Sequence, residues 1–98
     1  MQLQFFEEAE QEVEEQRAWY RKRSEAAEAG YLRELDHAIE QVIAAPDQWP
    51  QFLAGTRRYV FPKYPFSLIY FAERDVISVV AIAHEKRKPA YWRKRLRR

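Results

Sequence analysis

His84 closes an apolar run, VISVVAIAH, and the fourteen residues after it, EKRKPAYWRKRLRR, carry eight cations interleaved with Tyr91 and Trp92. An imidazole titrates near neutrality, with an unperturbed pKa of about 6.5, so His84 is the natural general base of this chain. Arg87 and Lys88 can hold an anionic group, and Tyr91 offers either a phenolic proton or a ring on which a base can stack. Arg57 and Arg58 open a second apolar run, RRYVF, and Lys63 and Lys86 add to the positive set. These types suit acid–base work on a phosphate group, or plain binding of a polyanion. Each has a structural counterpart. A histidine ending a strand also serves as a hydrogen-bond partner or packs beside an aromatic, and Tyr91 and Trp92 also anchor a terminal helix. Arg57 and Arg58 fall on alternate faces of a strand, so only one can enter a given groove.

The charge is unevenly distributed. Residues 1–48 hold five basic side chains against twelve acidic ones, a net of −7, whereas residues 49–98 hold twelve against three, a net of +9. The overall charge of +2 conceals this dipole. The basic half sets up a potential that attracts polyanions or acidic protein surfaces. With its twelve acids, the first half reads as solvated scaffold. A phosphate backbone would be repelled by its first helix, which disfavours direct DNA recognition by this part of the chain.

Composition narrows the classes further. At 98 residues and 11.9 kDa the chain fits one small domain, residues 1–98, and its 47% apolar content can supply one core. Leu, Ile, Val and Phe total 23, which argues against wholesale disorder. There is no cysteine, which excludes a disulfide framework, a thiolate nucleophile and Cys-ligated zinc or iron, and fits a reducing compartment. Two histidines, His37 and His84, argue against a histidine metal site, and two glycines, Gly30 and Gly55, cannot build a phosphate loop or dinucleotide fingerprint. No cofactor is therefore expected. No apolar run approaches the ~20 residues that span a bilayer, and the opening MQLQFFEEAE is not a secretory signal. The expected location is cytoplasmic.

The elements that must position these side chains follow from periodicity. Residues 1–5 alternate polar and apolar, a short strand. Phe6, Ala9, Val13 and Tyr20, with Trp19 beside them, recur at helical spacing through residues 6–23, and early glutamates with late arginines suit the helix dipole. A second stripe, Leu32, Leu35, Ala38 or Ile39, Val42 and Ile43, runs until Pro46 ends it. The connection around residues 24–30 is short, so the two helices form an antiparallel hairpin. Residues 46–55 form an ordered loop pinned by Trp49 and Phe52. RRYVF, FSLIYFA and VISVVAIAH then read as three consecutive antiparallel strands. In the third, Val76, Ser78, Val80, Ile82 and His84 share one face, and Ile77, Val79, Ala81 and Ala83 the other. Both faces are mostly apolar, so this strand is central, with the helical hairpin over one side. Pro89 opens a short terminal helix whose Trp92 and Leu96 dock back. The fold class is α+β, a short strand and αα-hairpin packed on a curved antiparallel sheet of three to four strands, with a short C-terminal helix.

In this order the chain resembles the RelE/ParE toxin superfamily of bacterial type II toxin–antitoxin modules, often described as plasmid-stabilisation proteins. The resemblance spans nearly the whole chain. It is carried by Trp19-Tyr20 at the end of the first helix, the Pro46 to Pro50 break with Trp49, Arg57-Arg58, Phe66-Ser67-Leu68-Ile69-Tyr70, and Ala83-His84-Glu85-Lys86-Arg87-Lys88-Pro89-Ala90-Tyr91-Trp92. It implies growth inhibition along one of two routes. RelE-like members cut messenger RNA at the ribosome with basic side chains on the sheet and near the C-terminus, and in some members a terminal tyrosine. ParE-like members inhibit DNA gyrase by binding. Where the ribonuclease branch tends to place an arginine on the strand, this chain has Ser67, which weakens the nuclease reading.

If the resemblance extends to ribosome-dependent endoribonuclease activity, catalysis falls to His84 as base, Arg87 at the phosphate and Tyr91 as acid, with Arg57, Arg58, Lys63, Lys86 and Lys88 binding substrate. It also implies a cognate antitoxin, whose acidic and apolar segment orders on the +9 half, and a toxin–antitoxin hetero-oligomer. Two alternatives stand beside it: a non-catalytic module that binds nucleic acid or protein, and an inactive toxin relative.

Overall fold

The computed structural model describes residues 1–97. A strand β1 (Gln2–Phe5) leads into helix α1 (Glu7–Arg21), then helix α2 (Glu25–Ala44), then strands β2 (Arg57–Val60), β3 (Phe66–Glu73) and β4 (Val76–His84), with a closing 3-10 turn at Arg93–Arg97. Three acids, Glu7, Glu8 and Glu10, sit in the first turn of α1 and Arg21 in its last, matching the helix dipole. The link between the helices is shorter than residues 24–30. Ser24 accepts the Ala27 amide at 2.9 Å and caps α2, so Gly30 lies inside the helix.

The sheet order is β1-β4-β3-β2. β2, β3 and β4 form the expected antiparallel run, while β1 joins β4 in parallel, pairing Gln2 with Val76 through Phe5 with Val79. The sheet is therefore mixed, and β4 is central only along its first half. One side of the sheet carries Leu68, Tyr70, Ile77, Val79 and Ile82, packed against Ala9 of α1 and Tyr31, Leu35, Ala38 and Val42 of α2. The other side carries Ile69, Val80 and Ala81 and is covered by Trp92, Phe52 and Leu96. Both faces are buried, which explains why β4 reads as a continuous apolar run.

Strict alternation along β4 fails at one place. The pairing steps from Ile69↔Ala81 to Tyr70↔Val79 and leaves Val80 as a bulge. A bulge inserts one residue and exchanges the faces beyond it. Ile82 consequently joins Ile77 and Val79 on the helix side, and Ala81 leaves that group to join Val80 on the other side.

The loop before β2 is held as its aromatics suggest. Trp49 Nε1 donates to the Gln41 carbonyl at 3.1 Å, and its ring meets Tyr59 edge-on at 4.8 Å. At the other end, no α-helix starts at Pro89. The chain turns through Ala90, whose φ of 65° is left-handed, and only then forms its 3-10 turn. Trp92 nevertheless docks as expected, with 1% of its surface exposed.

Candidate functional site

The end of β4 and the segment after it form a cleft. His84 sits opposite Phe66 in the β3–β4 register, and the two rings meet edge-on at 5.3 Å. A tight turn follows, closed by the Arg87 amide on the His84 carbonyl at 3.0 Å. It brings the Lys86 amide to His84 Nδ1, also at 3.0 Å. With Nδ1 accepting, the neutral ring carries its proton on Nε2 and faces outward as a donor. The Arg87 guanidinium returns over the Tyr91 ring at 3.8 Å, and Arg95 lies 5.2 Å from the same ring.

Tyr91 is fixed from its other end. Its hydroxyl donates to Glu12 Oε2, and burial, followed by that hydrogen bond and the carboxylate charge, pushes its pKa well above the usual phenol range. Glu12 also receives Arg95 Nη1 at 3.1 Å, Arg95 Nη2 at 3.0 Å and the Ile82 amide at 3.1 Å. Side-chain exposure is 11% for Glu12 and 13% for Arg95, so this is a nearly buried ion pair rather than a solvated one.

His84, Arg87 and Tyr91 line two adjoining hollows. The larger, of about 330 Å³, continues along Trp19, Tyr20 and Phe66. The smaller, of about 190 Å³, continues along Arg58, Ser67 and Lys88. Arg58 enters it by lying over the Phe52 ring at 4.3 Å. Five of the eight residues singled out from sequence, Arg58, His84, Arg87, Lys88 and Tyr91, thus share one cleft. The other three lie apart. Arg57 points to the opposite side of its strand, where Nη1 donates to the Trp49 carbonyl at 2.7 Å. Lys63 lines a separate hollow at the β2–β3 turn. Lys86 is exposed and reaches the cleft only through its backbone amide.

Glu12, Gln16 and Arg95 were not among those residues. The first-half acids read as solvated scaffold, and Glu12 is the exception: a buried carboxylate that organises the basic end. One signal was available, because Glu12 and Gln16 stand three and seven residues after Ala9, on the apolar stripe itself.

The cleft can attract and hold an anionic group with Arg58, Arg87, Lys88 and the His84 Nε2–H. Its two proton-handling groups are otherwise occupied, Nδ1 by a backbone amide and the Tyr91 hydroxyl by a carboxylate. Among the described residues, no group of three or more His, Asp or Glu side chains is placed to hold a metal ion, and no helix is long and apolar enough to cross a membrane.

A helical hairpin packed on a small open mixed sheet is the α+β arrangement of a RelE/ParE-like fold. Residues 3–89 match the family model of the ParE toxin of the type II toxin–antitoxin system parDE, and the chain belongs to that family. No curated protein sequence matches it significantly. Among solved structures, it is similar to a chain from the chromosomal ParDE toxin–antitoxin system of P. aeruginosa, with a TM-score of 0.63 and 18% identity over 86% of this chain and 95% of that one. At that identity the likeness speaks for the fold. Tyr91, Trp92 and Arg95 lie beyond the residues matched by the family model.

Proposed function

We propose that this toxin arrests growth by binding DNA gyrase through its basic cleft, cuts no RNA, and is neutralised by an antitoxin encoded beside it. The observation that carries this reading is the state of the two groups a nuclease would use. His84 Nδ1 accepts the Lys86 amide and so leaves only the protonated Nε2, with no free ring nitrogen to take a substrate proton, and the Tyr91 proton is engaged by Glu12. Ser67, at the strand position where the ribonuclease branch has its arginine, lines the same cleft without adding charge. Family membership points the same way, since the ParE branch acts by binding. The antitoxin follows from the type II module, and its expected segment, acidic and apolar, complements the +9 half of the chain.

Two reactions with purified protein test this. DNA supercoiling by gyrase should be blocked, while transcripts in a reconstituted translation mixture stay intact. Ribosome-dependent transcript cuts that disappear in His84→Ala or Arg87→Ala would overturn the binding mode and restore the nuclease reading.

A further inference from the structure

We infer that Glu12 is a positioning residue for the toxic cleft: its carboxylate clasps the closing segment to the rim of β4 and so fixes Arg87 and Lys88 where a target meets them. The inference rests on the cleft being the toxic surface.

The pairing of β1 with β4 ends at Phe5 and Val79, where the Phe6 amide makes the last contact, to the Val79 carbonyl at 2.9 Å. Among the described residues, no strand pairs with this edge of β4 beyond Val79. Its polar groups are taken up by side chains instead. Arg95 Nη1 donates to the Val80 carbonyl at 2.9 Å, Gln16 Nε2 donates to the Ile82 carbonyl at 2.9 Å, and Glu12 accepts the Ile82 amide. Glu12 and Arg95 therefore join three elements at once: α1, the open edge of β4 and the closing 3-10 turn.

The Glu85 amide is tied to the Pro65 carbonyl at 2.9 Å, but from Lys86 to Trp92 the backbone bonds are short turns, Arg87 on His84 and Tyr91 on Lys88, interrupted by the left-handed Ala90. Such a segment has little local stability of its own. Trp92, buried on the far face of the sheet, anchors the chain downstream, and the Tyr91 ring on which Arg87 lies packs against the same cluster. The polar end of that ring is fixed by its hydroxyl on Glu12. Glu12 thus acts on the cleft through Tyr91 and Arg95.

The test compares the full chain with Glu12→Gln and with Glu12→Gln/Arg95→Met, reading amide hydrogen exchange and growth arrest on induction. Glu12→Gln should raise exchange at residues 86–91 by at least about tenfold relative to α2 and abolish growth arrest. The double variant removes the orphaned guanidinium, yet should stay loose at 86–91 relative to α2 and harmless, because the tether is still missing. Closing-segment amides that remain protected in Glu12→Gln, or growth arrest regained by the double variant, would overturn the inference, leaving Glu12 a merely structural residue. If the wild type arrests growth without touching supercoiling, the gyrase reading falls while both arms still decide on Glu12. If the wild type arrests nothing, the toxin reading falls and the exchange arm alone decides whether Glu12 clasps the segment.

Discussion

The Ile82 amide donates to Oε1 of Glu12 at 3.1 Å, across seventy positions of sequence. One helical turn later, Gln16 takes the carbonyl of the same residue. Two side chains four apart on α1 thereby imitate the hydrogen bonds of an absent strand. An uncovered sheet edge invites pairing with other chains, and covering it is a recurrent need of open sheets. Here the covering residue also holds the closing segment through Tyr91 and Arg95, so protection of the edge and assembly of the cleft depend on one carboxylate.

The β3–β4 hairpin turns through Arg74 and Asp75, both left-handed at φ 51° and 66°, between the register partners Glu73 and Val76. Two consecutive positive-φ residues suit a two-residue hairpin twist, but the conformation strains residues with a Cβ by about 1 kcal/mol or more each. Replacing the pair by Asn-Gly (Arg74→Asn/Asp75→Gly) should raise stability by about 1–2 kcal/mol. A urea titration with an unmoved or lowered midpoint would contradict that turn geometry.

Tyr70 donates to the Pro46 carbonyl at 2.6 Å, and burial pushes its pKa up from 10.0 to about 12. A phenol whose folded pKa is raised favours the native state while protonated. Its contribution is complete below the unfolded value near 10.0 and is lost as pH climbs toward about 12. Tyr31 and Tyr91 are shifted in the same direction, chiefly by burial, and extend the loss upward. These groups leave the denaturation midpoint unchanged up to about pH 9 and make it fall above about pH 10, less steeply in Tyr70→Phe. An equal slope in Tyr70→Phe would refute the Tyr70 contribution.

Gly30 lies inside α2, where alanine would ordinarily gain up to about 1 kcal/mol. A Cβ there would stand 2.8 Å from the Tyr64 hydroxyl oxygen. Tyr64 cannot swing away freely, because its ring meets Tyr20 at 5.5 Å and Tyr31 at 6.3 Å, both edge-on. Gly30→Ala alone should therefore be neutral or destabilising, whereas in a Tyr64→Phe background the same change should stabilise by about 0.5–1 kcal/mol. Additivity of the two changes in a double-mutant cycle would disprove the contact.

Both helices were legible from their 3.6 period, with Pro46 marking the end of α2, β1 from its short alternation, and β2, β3 and β4 from apolar, β-branched and aromatic runs bounded by breaks. Three features were not. The bulge at Val80 exchanges the faces of β4 without any sequence mark, since Val, Ala and Ile serve either face. The parallel pairing of β1 is a tertiary choice that four residues cannot declare. The terminal helix expected from Pro89 gives way to a turn because the segment is held from outside, by Trp92 in the core and by Glu12 on Tyr91. Within the site, the chemistry-bearing types were visible as a cluster in sequence. The buried carboxylate was lost among the first-half acids, since composition does not distinguish a solvated glutamate from one facing the sheet.

The exposed cations of the cleft give the last prediction. Arg58 and Lys88 are open to solvent and enter no salt bridge among the described residues, so their contribution to a target is long-range attraction rather than a desolvated contact. Exposed interface charges act mainly on the rate of encounter and are screened within about 8 Å at physiological salt. Arg58→Ala and Lys88→Ala should each slow association with the toxin's target or antitoxin several-fold at low salt and leave dissociation nearly unchanged. The difference should vanish near 1 M salt, where screening falls to about 3 Å. Binding kinetics on an immobilised partner across a salt series would show this. A variant that instead speeds dissociation at every salt concentration would mean that the side chain is buried against the partner, and the cleft would then be an interface core rather than a steering surface.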